Sequence, residues 1–151
     1  MIQKIKRLYI NFVFQLLRLY WFIARPSGRG VKVLLECEGK LLFVRHNYGH
    51  HLWTVPGGGV KKAERAESAA RREIFEELGV TLLELIYLGQ YKSDYEYKKV
   101  TVDCYKATVT TDTKITIDNF EITEYAWFPL SSLPKEKASS VSKIISMYEA
   151  S

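Results

Sequence analysis

Three glutamates near the middle of the chain, Glu73, Glu76 and Glu77, have the spacing needed to bind a hard cation. Residues three and four apart share one face of a helix, so these carboxylates would converge on one side. Anionic groups at such short distances repel one another unless a cation lies among them. Clustered carboxylate oxygens suit Mg²⁺ or Mn²⁺. Taken alone, such glutamates are more typical of an ordinary solvated helix face.

The segment around these glutamates predicts a helix from about Ala66 to Leu78, because good helix formers fill it. Gly79 follows where the helix should stop, since glycine adopts the left-handed conformation at little cost. Upstream, the loop 56–59 reads Pro-Gly-Gly-Gly, and its backbone can approach a ligand closely. The glycine loop and the acidic helix together predict a site for phosphate and a divalent cation.

The whole pattern from Gly58 to Val80 resembles the Nudix box of the MutT-like Nudix hydrolases. Gly58 and Glu64 stand at its first two fixed positions, and residues 72–80 read R-E-I-F-E-E-L-G-V. Every fixed position is filled, which favours this interpretation over the solvated helix. The resemblance covers about residues 29–149. It implies an α/β fold, the Nudix-type α/β/α sandwich with a mixed sheet.

The resemblance also implies a cofactor, Mg²⁺ or Mn²⁺, and roles for individual residues. The metal ligands would be Glu73, Glu76, Glu77 and the carbonyl of Gly57. Glu73 and Glu76 are also the candidates for activating water.

Further residues of the box would support these ligands. By the same resemblance, Arg72 orients a box glutamate in the catalytic centre, and Glu64 supports the loop. Gly58 and Gly79 would serve the backbone conformation. Ala63 departs from the family pattern, since many members have glycine there, and Arg65 replaces a frequent small hydroxyl residue. A different loop geometry is compatible with these two changes.

A glutamate outside the box supplies the general base in many members of the family. Glu121 and Glu124 are the candidates here, because they precede residues 126–129, A-W-F-P, which resemble a late strand of the family. We take Glu121 as the candidate catalytic residue. Each acid considered singly is also typical of a solvated loop carboxylate.

Substrate contacts are predicted at three further residues. Arg45 would bind phosphate, and Tyr48 or a histidine of the same segment would stack on a base, because segment 45–51 lies between a strand and the box. Tyr97 lies at the distance beyond the box where a tyrosine is associated with dinucleoside polyphosphate substrates. The proline associated with ADP-ribose cleavage is absent, since position 95 is Tyr. Nucleoside triphosphates, dinucleoside polyphosphates and nucleotide sugars all stay open as substrates.

The positive charge of the chain is unevenly placed. Its net charge is +5, but residues 1–35 hold seven of the 22 Lys and Arg residues and no Asp or Glu. The remainder is slightly acidic, which argues against a general surface for a nucleic-acid polymer. Cys37 and Cys104 lack a metal-binding spacing and indicate reduced thiols in a cytoplasmic protein.

The N-terminal segment, residues 1–26, predicts a separate apolar or amphipathic helix ahead of a Nudix domain at 27–151. Its polar residues form one narrow stripe, at Lys4, Arg7, Asn11, Gln15 and Arg18. Three interpretations stay open: packing on the domain or in a homodimer, peripheral contact with a membrane, and a membrane span or signal. Gln15 and Arg18 make a span costly.

The remaining elements follow from periodicity and turn residues. Strands are predicted at 31–36, 41–45, 52–55, 83–91, 99–108 and 124–129, with a turn at 38–40 and a C-terminal helix at 135–148.

These observations predict a Mg²⁺-dependent Nudix pyrophosphohydrolase that cleaves a nucleoside diphosphate derivative, a nucleotide small molecule. A dinucleoside polyphosphate is the alternative substrate. The rival is a non-catalytic Nudix-fold module that senses a nucleotide. Such modules usually lose carboxylates of the box, whereas this chain keeps Glu73, Glu76 and Glu77.

Overall fold

The computed structural model describes residues 2–24, 27–95 and 98–151. The elements in chain order are α1 (Ile2–Ala24), β1 (Ser27–Cys37), β2 (Lys40–His46), α2 (Ala66–Leu78), β3 (Ile86–Tyr95), β4 (Lys98–Thr108), β5 (Ile122–Pro129), a single 3₁₀ turn (Leu130–Ser132) and α3 (Ser139–Glu149).

The five strands form one mixed sheet in the order β3-β4-β1-β2-β5. β1 and β4 are parallel neighbours, and the other pairs are antiparallel. Successive residues of a strand point to opposite faces, and β2 shows this directly. Leu42 and Val44 join the core under α2, whereas Leu41 and Phe43 join the core under α3. Helices therefore cover both faces, which confirms the α/β/α sandwich.

The β1–β2 hairpin opens a gap that the glycine loop fills. Its two-residue turn has positive φ at Glu38 (48°) and Gly39 (73°), as tight hairpin turns require. The two strands pair with each other only beside this turn. Further along, segment 53–60 lies between them. Val44 N donates to Thr54 O at 2.9 Å, and Val31 N donates to Gly58 O at 2.9 Å. The loop is thus held by backbone hydrogen bonds to the centre of the sheet.

Two predicted elements are different in the structure. Segment 52–55 is not a strand and makes only isolated bridges, through Trp53 and Thr54. The C-terminal helix begins at Ser139 rather than near residue 135, because the chain before it pairs with Trp53. Trp53 N donates to Glu136 O at 2.9 Å, and Ala138 N donates to Trp53 O at 2.8 Å.

The N-terminal helix is present, and it is amphipathic rather than apolar all round. Within the described residues, no helix combines the length and the hydropathy that crossing a bilayer requires. Phe14 of α1 packs on Tyr48 with ring centroids 5.4 Å apart. Residues 25 and 26, where we predict the domain boundary, lie outside the described residues, so that boundary stays a prediction.

Candidate active site

Arg72, on α2, is the centre of the hydrogen-bond network that holds the candidate site. Its Nε and Nη2 donate to the two oxygens of Glu64, at 2.8 and 3.0 Å. Its Nη1 lies between Glu73 (2.7 Å) and Glu76 (3.0 Å), and its Nη2 also donates to Gly59 O at 2.8 Å. One guanidinium therefore joins the glycine loop to three box glutamates, as a planar group with five N–H donors permits.

Glu64 is fixed from two sides. Besides Arg72, the backbone N–H of Lys61 donates to its Oε2 at 2.8 Å. The hydrogen bonds from Arg72, and to a smaller extent the one from Lys61 N–H, lower the pKa of Glu64 to about 2. Glu64 thus stays a carboxylate at any ordinary pH and braces the loop beneath Arg72.

Glu77 is the buried member of the carboxylate group, with 2% of its surface exposed. Its Oε2 accepts the backbone N–H of Gly57 at 2.8 Å. Burial raises its pKa to about 7, although the nearby ammonium of Lys32 and the Gly57 N–H oppose this shift. The side chain of Glu77 therefore ties α2 to the loop from inside.

Lys32, on β1, supplies a cation that the sequence analysis did not single out. Its Nζ donates to the carbonyl oxygens of Val55 (2.7 Å) and Gly57 (3.4 Å). Burial lowers its pKa, opposed by the charges of Glu77 and Glu73. The available signal was one lysine within the otherwise apolar run V-K-V-L-L of a strand predicted to be central. A charge at such a position needs a buried partner.

The two glycines of the loop have different reasons to be glycine. Gly57 has φ 132°, and a Cβ there would meet Val31 O at 2.2 Å. Gly58 lacks a positive φ. A Cβ on Gly58 would meet the Glu73 carboxylate at 2.4 Å, so a close approach is what excludes a side chain. Gly79 caps α2 with φ 68°, as predicted.

Glu121 lies beside the box although it is far away in sequence. The chain before it is hydrogen-bonded to the end of α2: Thr116 N donates to Leu78 O at 2.8 Å, and Asp118 N to Glu77 O at 3.0 Å. Burial raises the pKa of Glu121, and so do the negative charges of Glu73, Asp118 and Glu76. The second candidate, Glu124, instead pairs with Arg45 at 3.0 Å.

The donor set of this site consists of carboxylate and carbonyl oxygens, the chemistry that Mg²⁺ and Mn²⁺ prefer. Across the part of the chain that the structure describes, no three His, Cys, Asp or Glu side chains have the arrangement of a preformed metal site. Arg72 Nη1 lies between Glu73 and Glu76. Glu73, Glu76, Glu77 and the Gly57 carbonyl thus fit a divalent cation by chemistry.

The predicted substrate residues have other partners in this structure. Arg45 pairs with Glu124 (3.0 Å) and Glu136 (3.2 Å), and its guanidinium lies 4.5 Å from the Trp53 ring centroid. Tyr48 stacks on His46 at 5.0 Å and also contacts α1. Tyr97 lies outside the described residues.

An open cavity of about 430 Å³ lies beside the glycine loop. It is lined by Gly28, Arg29 and residues 60–64, and three of these residues are bases: Arg29, Lys61 and Lys62. Arg29 pairs with the buried Asp103 at 2.9 Å, and Lys61 and Lys62 are exposed. Its volume is in the usual range for small-molecule sites.

Ala63 has φ 62°, which is the left-handed conformation. This conformation is costly for alanine, whereas many members of the family have glycine at this position. We expect Ala63→Gly to raise the free energy of unfolding by about 0.5–1 kcal/mol, because glycine adopts this conformation without strain. Urea unfolding measures the change. The matched control is Ala66→Gly at the first residue of α2, where glycine should destabilise the helix. Equal destabilisation by both changes would contradict the conclusion that the left-handed conformation strains Ala63.

His46 predicts an acid sensitivity of the fold. Burial, and secondarily the charge of Lys32, lowers its pKa to about 3. The unfolded chain binds a proton on this residue below about pH 6.5, whereas the folded chain does not, so stability is present above that pH and is lost as pH falls towards 3. Between about pH 7.5 and about pH 4.5 the loss from His46 should be about 2–3 kcal/mol.

The variant His46→Phe keeps a ring in contact with Tyr48 and removes the titration. We expect its unfolding free energy to fall about 2–3 kcal/mol less than that of the unaltered chain over this pH range. Urea unfolding at both pH values, with chelator present, makes the comparison. Parallel losses in both proteins would refute the role of His46.

Comparison with known proteins gives a family match and structural neighbours. The family model described as NUDIX domain matches residues 24–148. The RNA pyrophosphohydrolase of Sodalis glossinidius is 36% identical over 66 residues, which are 44% of this chain and 37% of that protein. The chain therefore spans little more than a third of the length of this curated relative.

Two solved structures show the same fold. The MutT NUDIX hydrolase of Burkholderia pseudomallei has a TM-score of 0.73 at 21% identity, over 80% of this chain and 97% of that one. The Ap4A hydrolase of C. elegans, in a binary complex, has a TM-score of 0.68 at 20% identity, over 83% of this chain and 96% of that one. At this identity the likeness concerns the fold alone.

Proposed function

The chain belongs to the Nudix family, and from this premise we propose that it is a Mg²⁺-dependent pyrophosphohydrolase acting on a nucleoside diphosphate derivative. One observation carries the proposal. Arg72 gathers Glu64, Glu73 and Glu76 against the glycine loop, while Glu77 binds the same loop from inside. An ordinary solvated helix would not bury one glutamate of the group and bond three others to a single guanidinium.

The proposed reaction is hydrolysis of a phosphoanhydride. A water oxygen forms a bond to one phosphorus, the bridging P–O bond breaks, and the bridging oxygen leaves on the other phosphate. A divalent cation, when bound, neutralises phosphate charge and orients the reacting groups. Glu73, Glu76, Glu77 and the Gly57 carbonyl would hold that cation.

The proton of the attacking water needs a carboxylate to accept it. We assign this role to Glu121, because burial, and then the charges of the nearby Glu73, Asp118 and Glu76, raise its pKa and make it a better base. Glu73 and Glu76 are the alternatives within the box. General-base catalysis of this kind contributes roughly 10²–10⁴-fold to the rate.

The substrate is proposed at the level of a class. The exposed Lys61 and Lys62 line the cavity beside the glycine loop and suit a phosphate chain. Nucleoside triphosphates, dinucleoside polyphosphates and nucleotide sugars fit this description. The relatives named RNA pyrophosphohydrolase add an RNA to these candidates, although the near-neutral charge outside residues 1–35 favours a small nucleotide.

The experiment is phosphate release from a panel of these compounds, with coupled phosphatase or pyrophosphatase, in Mg²⁺, in Mn²⁺ and in chelator. The panel includes oxidised dGTP, ADP-ribose and a 5′-triphosphorylated RNA. We expect turnover of at least one nucleotide that stops when chelator removes the metal. Nucleotide binding without turnover of any compound would instead support the sensing module, which the three retained box glutamates disfavour.

We further propose a cytoplasmic enzyme whose partner is a nucleotide small molecule rather than a nucleic-acid polymer. The N-terminal helix gives it either peripheral contact with a membrane or a homodimer contact. Deletion of this helix would keep every residue of the Nudix domain, including its sheet and both covering helices.

A further inference from the structure

The outward face of α1 is apolar and uncovered within the described structure. Its members are all more than half exposed: Ile5 (59%), Leu8 (70%), Tyr9 (64%), Phe12 (63%), Leu16 (52%) and Leu19 (57%). At 100° per residue they fall within a sector of about 100° on the helix. These six residues are called the apolar face of α1 below. Exposed apolar groups that are contiguous in this way indicate a binding surface.

The apolar face of α1 points away from the Nudix domain. The inner side of the helix carries Phe14, whose ring packs on Tyr48 at 5.4 Å. Around the helix axis, Phe14 lies about 170° from the centre of the apolar face. Ile10, also on the inner side, and Val13, on the flank of the helix, are half-buried. The domain therefore holds one side of α1 and presents the other.

Charge identifies what the apolar face fits. Exposed lysines lie beyond both borders of the face, Lys4 on one side and Lys6 on the other, and α1 contains no Asp or Glu. The first acid of the chain is Glu36, after seven bases. An apolar face with basic borders and aromatic members matches an anionic lipid surface, where side chains enter the acyl boundary and bases meet phosphate headgroups.

A second copy of the chain fits this face less well. Pairing two apolar faces would bring their basic borders together, and α1 has no acid to neutralise them. A membrane-spanning arrangement is also unsuitable, because the hydropathy of α1 is too low. We propose that α1 lies flat on an anionic membrane surface and holds the Nudix domain beside it.

The test is co-sedimentation of the full chain with vesicles of phosphatidylcholine and with vesicles that also contain phosphatidylglycerol. We expect binding to the anionic vesicles, weaker binding at high salt, and little binding to the neutral ones. Phe12→Glu, at the centre of the face, should weaken partitioning at least about tenfold. Lys4→Glu with Lys6→Glu should weaken binding to the anionic vesicles only.

The matched control is Leu83→Glu, which charges an apolar residue that is 89% exposed but lies outside α1. It should bind vesicles as the unaltered chain does, and thermal unfolding should show that every variant is folded. Absence of binding to anionic vesicles would overturn the proposal, as would equal binding to neutral ones. A dimer seen by light scattering, lost in Phe12→Glu and accompanied by no vesicle binding, would assign the face to a second copy.

Discussion

Glu76→Gln should lower kcat/KM by at least about 10²–10⁴-fold while leaving the fold intact. The side chain of Glu76 is 52% exposed, and its recorded partner is Arg72 at 3.0 Å. A surface pair of this kind contributes only a few tenths of a kcal/mol to helix stability. The amide keeps the shape of the side chain but loses the negative charge that would hold a cation or accept a proton.

The measurement is turnover of the best panel substrate in saturating Mg²⁺, together with thermal unfolding. Glu67→Gln is a close control, because Glu67 lies on the same helix and pairs with Arg71 at 3.0 Å with the same four-residue spacing. It loses an equivalent ion pair outside the site, so its turnover should be unchanged. Near wild-type turnover of Glu76→Gln would refute the role of Glu76.

Gly57→Ala should destabilise the fold by on the order of 3–5 kcal/mol. The new Cβ would lie 2.2 Å from the carbonyl oxygen of Val31, and φ 132° is a conformation that alanine rarely adopts. Because Val31 belongs to the central strand β1, the loop rather than the strand must move. That movement would break the Gly57 N–H bond to Glu77 and leave a buried carboxyl group without its donor.

Gly59→Ala is the matched control two residues away. A Cβ there meets nothing within 4 Å, and Gly59 has no positive φ, so the change should stay within about 0.5 kcal/mol. Urea unfolding of both variants measures the difference. If Gly57→Ala were as stable as Gly59→Ala, the close packing of the loop on β1 would be wrong.

Local sequence information was sufficient to predict the acidic helix. The predicted bounds, Ala66 to Leu78 with Gly79 as cap, agree with the structure, because helix formers and a terminating glycine act within a few residues. The C-terminal helix began four residues later than predicted. The backbone of residues 136–138 forms a β-bridge with Trp53, which is distant in sequence. A local sequence pattern does not predict such a partner.

The site shows the same division between local and distant information. The spacing of Glu73, Glu76 and Glu77 predicts that they share a face, but not that Arg72 lies between two of them while Glu77 is buried. The position of Glu121 depends on backbone bonds from segment 116–118 to the end of α2. Lys32 was not singled out because its hydrogen bonds to the carbonyl oxygens of Val55 and Gly57 form only when β1 lies under the loop.

The substrate residues were the least accessible to sequence reasoning. Arg45 and Tyr48 follow a strand, which predicts a place near the site but not their partners. In the structure Arg45 is held by Glu124 and Glu136, and Tyr48 is packed by Phe14 of α1. Their contacts with a nucleotide stay predictions, as does any contact of Tyr97.

The most direct test of the central claim is hydrolysis of the best panel substrate in ¹⁸O-labelled water, followed by mass spectrometry of the products. The proposed reaction predicts one labelled oxygen on phosphorus in one of the two phosphate products, with Mg²⁺ present and not with chelator. Product formation that is equal in chelator, or label found only on carbon, would contradict metal-dependent cleavage of a pyrophosphate bond. So would the absence of turnover across the whole panel in both metals.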